Sequence, residues 1–306
     1  MGVDKIMNRM SGNYKLNLSK LLQAAPSVFL FRHAPIWVST RFLRILGVFY
    51  YILNAKERVQ IERNIRDVFK DTSEAESIIK KTFEGIFSHY SEKLLMAYRN
   101  FDTLLDEIGK NITYSGLHHL DSALAKGGAL VVTGHFGGVE FMPLALHLKD
   151  YPVSMVVAFQ SEQLKTSLRA RAAEHNVELI DGHSHEVVTE IVDSIHRGRL
   201  VVTECDEVEA WRTKGNKTID AFGGEIKIDR TLDILCRRCG TSVLSAFMVR
   251  QGSGYCLTVD TIRETVKKEA EPISVSIFRK FEKTVMTFPE QWYEWKKFHK
   301  MRPEIA

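Results

Sequence analysis

At 306 residues, with 44% hydrophobic and 26% charged content, the chain is long enough for one large α/β domain with or without a small appendage, and disorder is excluded as its main state. The formal net charge of +4 suits anionic lipid headgroups or an acidic carrier protein without demanding nucleic acid. Cys205, Cys236, Cys239 and Cys256 are too few and too widely placed for a disulfide framework, which favours a reducing compartment. Cys236 and Cys239 form a lone CxxC without the second pair of a zinc ribbon, and Leu235 to Gly240 reads as a helix end closing on glycine.

In chain order, the first twenty residues carry Asp4, Lys5, Arg9, Lys15 and Lys20 and no sustained apolar core, so no signal peptide is expected. Ile6 stands where a myristoylation signal wants Ser or Thr. From Leu21 to Ala55 the chain is rich in aromatic and aliphatic residues, but Arg32, Arg41 and Arg44 cut it into uncharged runs of about eleven residues, short of the ~20 needed to span a bilayer. Pro26 and Pro35 favour breaks between short helices. Trp37, Phe42, Phe49, Tyr50 and Tyr51 among arginines suit an interfacial helix pair, and a buried helical hairpin would carry the same pattern.

Lys56 to Phe69 reads as a basic amphipathic helix. Thr72 or Ser73 caps a longer one running to about Tyr98, in which His89 reads as a packed histidine. Beyond Tyr114, short β-branched runs alternate with helical stretches. Strands are expected at 129–133, 153–159, 177–180, 200–203, 242–249 and 255–261, with helices near 119–125, 139–148, 162–175, 185–197 and 228–238. The alternation predicts an α/β fold with a mostly parallel sheet flanked by helices, its functional groups at the carboxyl ends of strands. The expected division is a helical region over 1–110 packed on an α/β domain over 111–306.

The strand at 129–133 runs directly into Gly134-His135-Phe136-Gly137-Gly138-Val139-Glu140. A histidine at a strand end can take a proton from an attacking hydroxyl if an acceptor such as Glu140 fixes its tautomer. The two would not share a face of a regular helix, so the glycines are needed to place His135 on the turn before the helix bearing Glu140. Amides at that helix start suit an oxyanion or a phosphate. A dinucleotide-type glycine turn or a structural histidine is the competing reading, although no GxGxxG is present.

HFGGVE resembles the HFGNWE form of the His-x4-Glu/Asp motif of bacterial lipid A biosynthesis acyltransferases, in the lysophospholipid acyltransferase superfamily. Arg58 to Phe69 is similar to the family's segment before its first long helix. Arg171 and Arg169 stand where the family has an arginine-bearing helix. Gly198 to Val202 leads into Asp206 as a family strand leads into its aspartate, Ile219 to Gly223 resembles its V-x-F-F-G element, and Pro289 to Trp295 its proline, glutamine and tryptophan signature.

The resemblance implies a glycerol-3-phosphate acyltransferase-like fold whose amino-terminal helices face a membrane. It implies transfer of a fatty acyl chain from acyl carrier protein, or acyl-CoA, to a hydroxyl of a lipid A precursor or related glycolipid at the cytoplasmic face of the bacterial inner membrane. No cofactor, metal or nucleic acid is implied. His135 would be the general base and Glu140 its orienting partner. Arg171 and Arg169 would hold phosphate or charge; Asp206, Gly137, Gly138, Phe222 and Gly223 would shape the substrate site. Gly138 and Val139 depart from the family's Asn and Trp, Glu207 from its Gln, and Asp229-Arg230 from its small residues. These departures widen the acceptor to lysophospholipids or acylated secondary metabolites. Two other classes stand beside this one: a metal-dependent hydrolase built on Asp181-Gly182-His183-Ser184-His185-Glu186 with Asp206, and an inactive lipid-binding protein.

Overall fold

The computed structural model describes residues 25–70, 72–159, 162–213, 217–264 and 271–303, so the expectations for the first twenty residues lie outside it. From Ala25 to Ile108 the described chain is helical. Pro35, which lacks an N–H and disfavours helix at the residue before it, separates α1 (Ala25–His33) from α2 (Ile36–Leu53). One face of this pair packs inward through Phe31, Ser39 and Leu43, while Phe29, Trp37, Ile45 and Val48 stay exposed. Gly47 is required where α2 meets the next long helix, since a Cβ there would sit 2.6 Å from the Phe87 ring. The pair is thus packed on one side and open on the other. No helix among the described residues is long and apolar enough to cross a membrane.

Helix α3 (Ala55–Val68) buries Ile61 and Ile65, and Asn64 reaches across to donate to the Trp295 carbonyl at 2.6 Å. Helix α4 (Thr72–Tyr98) follows, its 27 residues spanning about 40 Å at 1.5 Å per residue. Asn100 then caps α5 (Phe101–Ile108) by accepting from Thr103 N–H at 3.0 Å.

The rest is an α/β array: β1 (Ile112–Ser115), α6 (Leu117–Leu124), β2 (Ala129–Thr133), α7 (Met142–His147), β3 (Val153–Val157), α8 (Glu162–Ala173), β4 (Val177–Asp181), α9 (Val187–His196) and β5 (Leu200–Glu204). A small hairpin of β6 (Thr218–Ala221) and β7 (Gly224–Lys227) precedes α10 (Thr231–Cys239), β8 (Ser242–Gln251), β9 (Gly254–Arg263), α11 (Ile273–Thr287) and α12 (Phe298–Met301). Seven strands form one sheet in the order β1-β9-β8-β2-β5-β3-β4. The five from β8 to β4 are parallel; β9 turns back on β8, and β1 runs alongside β9. Helices cover both faces, as a buried parallel sheet requires.

Strand alternation divides the interior in two. Leu130, Val132 and Val201 face one core with Ile61, Ile78 and Phe281, whereas Ala129, Val131, Leu200 and Val202 face the other with Leu94, Leu104 and Leu146. Helix α4 contributes to both, Ile78, Ile79 and Ile86 to the first and Leu94 and Leu95 to the second. It is tied to the sheet by a buried ion pair: Arg250 at the end of β8 donates to Glu92 from Nε at 2.6 Å and Nη2 at 2.8 Å, and the Tyr255 hydroxyl adds a bond at 3.0 Å.

Each expected strand is present within about two residues, and the glycine that ends α10, Gly240, is left-handed at φ 61°. Strand β1, the β6–β7 hairpin and α11 were not anticipated. The stretch expected as one helix over 139–148 is instead a 3₁₀ turn, Val139–Phe141, followed by α7 with Pro143 in its first turn.

A pair as buried as Glu92 and Arg250 is most damaging when half removed. Glu92→Leu or Arg250→Leu alone should cost about 3 to 5 kcal/mol, and the double replacement clearly less than their sum. Urea denaturation of the four proteins measures the difference.

Candidate active site

Strand β2 ends at Thr133, and the parallel register sets Thr133 opposite Glu204 at the end of β5. The segments leaving these two neighbouring strands build the site. Past β2, His135 turns back toward the end of β5; Gly134 is kept free of a side chain by the Phe281 ring, which a Cβ would approach to 2.5 Å. Past β5, Cys205 N–H donates to the Thr133 carbonyl at 2.8 Å, bringing Asp206 under His135.

Asp206 has no exposed surface. Its carboxylate accepts from the His135 backbone N–H at 3.1 and 3.0 Å, meets Nδ1 of the same residue at 3.0 Å, and accepts from Trp292 Nε1 at 2.8 Å. These donors and the positive imidazole hold Asp206 below its ordinary carboxylate pKa although burial pushes the other way. On the other side of the ring, His135 Nε2 lies 3.2 Å from Glu204 Oε2 and 3.9 Å from Glu207 Oε2. Burial alone would lower the histidine, but Glu204 and Asp206 carry its pKa up to about 10. Burial, with Asp206 and Glu140 nearby, pushes Glu204 up to about 7 against the pull of His135. The arrangement is therefore an imidazolium clasped between carboxylates, with Asp206 fixing Nδ1–H.

The partner of His135 is a correction to the sequence reading. Glu140 makes no hydrogen bond or ion pair with His135; its carboxylate lies 3.4 Å from His89 Nε2 and 3.7 Å from Lys93 Nζ, both on α4. The 3₁₀ turn sends Glu140 toward α4, whereas a distant residue, Asp206, reaches the ring. His89 is buried, stacks on Tyr293 at 3.9 Å and is held neutral mainly by burial, then by Lys93.

The glycines serve main-chain packing. Gly137, at φ 57°, donates to the Gln291 carbonyl at 2.9 Å, and Gly138 donates to the Met248 carbonyl at 2.7 Å. Neither of these two amides is free for an oxyanion. A Cβ on Gly137 would meet the Met248 oxygen at 2.0 Å, and one on Gly138 the Tyr255 ring at 2.5 Å. Phe222 and Gly223, with φ of 54° and 69°, form the two-residue turn of the β6–β7 hairpin. Phe222 stacks on Trp292 at 5.5 Å, so it supports the indole that binds Asp206.

The two arginines are engaged elsewhere. Arg171 Nη1 donates to the Ala97 carbonyl at 3.1 Å, fastening α8 to the end of α4, and Arg169 Nε donates to Leu179 O at 3.3 Å on β4. Neither contacts His135, Glu204 or Asp206. In the proposed hydrolase cluster, Asp181 accepts from Lys165 Nζ at 2.6 Å and from His183 N–H at 3.0 Å as an ordinary capped turn. Among the described residues, the group able to hold a metal ion is His135 Nε2 with Glu204 and Glu207, whose donor atoms lie within 4.8 Å of one another.

The histidine that follows β2, the buried aspartate that follows β5 and a tryptophan from the carboxyl-terminal turn meet in one contact. Residues 24–300 match the model of a family described as bacterial lipid A biosynthesis acyltransferase. The chain belongs to that family. No curated protein matches it. Membership makes the chain an acyltransferase by family and implies a lipid acceptor and an acyl donor as its substrates.

Sequence reasoning missed Glu204, Lys93 and the link from Trp292 to Asp206. The pairing of β2 with β5 exposes Glu204, and no local pattern reports strand order.

The His135 shift has a sign. Its folded pKa lies above the ordinary 6.5, so its contribution to stability is complete below about 6.5 and is lost as pH rises through about 10. Histidine ¹⁵N NMR of the ligand-free protein at pH 7 should find both His135 ring nitrogens protonated, and Glu204→Gln should bring the titration midpoint down. A neutral ring at pH 7 would contradict the clasp.

Proposed function

We propose that this family member transfers a fatty acyl chain from acyl carrier protein, or acyl-CoA, to a hydroxyl of a lipid A precursor or related glycolipid, with His135 as general base. The observation that carries the reading is the Asp206 clasp on the His135 backbone N–H and Nδ1. An aspartate on Nδ1 fixes the tautomer that leaves Nε2 to accept a proton and stabilises the imidazolium that results. The Nε2 proton of the resting ring first passes to Glu204, 3.2 Å away, and Nε2 then takes the proton of the acceptor hydroxyl as its oxygen attacks the thioester carbonyl. The carbon–sulfur bond then breaks, and His135 returns the proton to the leaving thiolate. A thioester is already activated, so positioning and a base suffice without a covalent acyl-enzyme.

His135→Ala and Asp206→Asn should each lower kcat/KM by about 100-fold or more without loss of fold. Glu140→Gln, whose parent carboxylate does not touch the ring, should lose only about tenfold or less. Steady-state transfer assays with circular dichroism separate the three. If Glu140→Gln is as damaging as Asp206→Asn, the orienting role returns to Glu140.

The reading places the protein peripherally on the cytoplasmic membrane face. Its support is the open side of α1 and α2, where Phe29, Trp37, Ile45 and Val48 are exposed beside Arg41 and Arg44. Apolar side chains for the acyl boundary and guanidinium groups for phosphate share one stripe, Trp37, Arg41, Arg44, Ile45 and Val48. Trp37→Ser with Ile45→Ser should reduce sedimentation with vesicles containing anionic phospholipid, while the same protein keeps its thermal transition. Undiminished sedimentation would remove this stripe from the membrane contact.

A further inference from the structure

A cavity of about 1110 Å³ opens between α2, α4, the end of α5 and the turn joining β8 to β9. Helix α4 turns Ser88, Ser91, Glu92 and Leu95 toward it, positions that share one face of a helix, while His89 and Lys93 face Glu140. None of His135, Glu204, Asp206 and Glu207 lines the cavity. Acyl transfer at the histidine therefore gives it no part.

Its lining joins apolar surface to positive charge. Ile36, Leu95, Ile108 and Phe141 line it, and the exposed Ile45 and Val48 carry the apolar surface outward. The two acidic side chains in the lining are already engaged. Glu92 accepts from Arg250 at 2.6 and 2.8 Å and from the Tyr255 hydroxyl at 3.0 Å, and Glu107 accepts from Arg99 Nη2 at 3.0 and 3.1 Å. Arg41 and Arg44, also in the lining, have no acidic or hydrogen-bonding partner among the described residues. Three positions apart on a helix, their Cβ atoms are about 5 to 6 Å from each other, so both guanidinium groups can close on one anion.

Unpaired cations beside apolar surface select a ligand that carries an anion and a hydrocarbon chain together. Free phosphate leaves the apolar lining in water, and a zwitterionic headgroup brings an ammonium for which the lining has no free carboxylate. We propose that the cavity holds one anionic glycerophospholipid, its phosphate on Arg41 and Arg44 and an acyl chain laid between α2 and α4. The inference goes beyond the membrane-facing stripe, with which it shares the two arginines: a single lipid is drawn past α2 to the face of α4 and stays bound without a bilayer. It is independent of acyl transfer. The lipid is a resident ligand and not a substrate, because the base is absent from the lining. Since Glu92 and Lys93 are neighbours on α4, the lipid braces the same helix that walls the active site.

The test uses the full chain, freed of lipid, with dioctanoylphosphatidylglycerol kept below its critical micelle concentration so that neither bilayer nor micelle forms. Calorimetric titration should find one site per chain, and the thermal transition should rise with occupancy. Dioctanoylphosphatidylcholine should bind about tenfold or more weakly, and inorganic phosphate at matched concentration should not displace the glycerol lipid. Arg41→Gln combined with Arg44→Gln should weaken binding by about tenfold or more with unchanged circular dichroism. Ser253→Trp, in the exposed β8–β9 turn that lines the cavity opposite α2, should weaken binding by narrowing the space. His135→Ala should bind like the parent, so that this site and the acyl-transfer reading fail separately.

Absence of saturable binding, equal affinity for the two lipids, or displacement by matched inorganic phosphate overturns the inference. Parent-like binding by Ser253→Trp does so as well, because the lipid then lies only on the outer face of α2. If phosphatidylglycerol is recovered with an added acyl chain when a donor thioester is present, it is an acceptor, and the resident role is wrong.

Discussion

A carboxylate with no exposed surface must take its donors from the protein, and those of Asp206 come from two segments far apart in the chain: the turn after β2 and the turn after α11. The cost of burying that charge is offset by the backbone N–H and Nδ1 of His135 and by the indole N–H of Trp292. That requirement locks the carboxyl-terminal turn against the ends of β2 and β5. Trp292 is in turn fixed by Phe222 in the β6–β7 hairpin and by Phe281 on α11, and its own backbone bridges to Phe136. The aromatic cluster near the carboxyl terminus is therefore the support on which the imidazole is aimed.

Helix α4 forms the opposite wall. Its His89 and Lys93 face Glu140, and one position along, Glu92 points away into the ion pair with Arg250. A helix turns about 100° per residue, so neighbouring positions 92 and 93 meet different surroundings, one anchoring the sheet and one facing the site. The acidic character around His135 follows from this division. The helix lends one lysine to the site, and Glu140 already claims it.

The α/β core was legible because each buried strand is a short apolar run between turn residues, and parallel strands buried on both faces read that way. Strand β1 has four residues at the sheet edge and the β6–β7 hairpin, with four residues in each strand, lies outside the main sheet; runs this short are too brief for their alternation to mark a strand. For the site, His135 was readable from its place at a strand end. The error in assigning Glu140 as its partner came from trusting nearness in sequence. His135 and Glu140 share one short segment, but the 3₁₀ turn diverges them, while Asp206 is 71 residues away and comes close because β2 and β5 are neighbours. Strand order is a tertiary fact, and the family motif reported the residues of the site without reporting which of them touch.

The resting charge state bears on how such a site avoids wasting its donor. With the ring held as an imidazolium, Nε2 has no lone pair to activate a water molecule, and Glu204 covers the nitrogen from the side an oxygen nucleophile would use. The same carboxylate that raises the histidine pKa therefore also covers the ring nitrogen that faces away from Asp206.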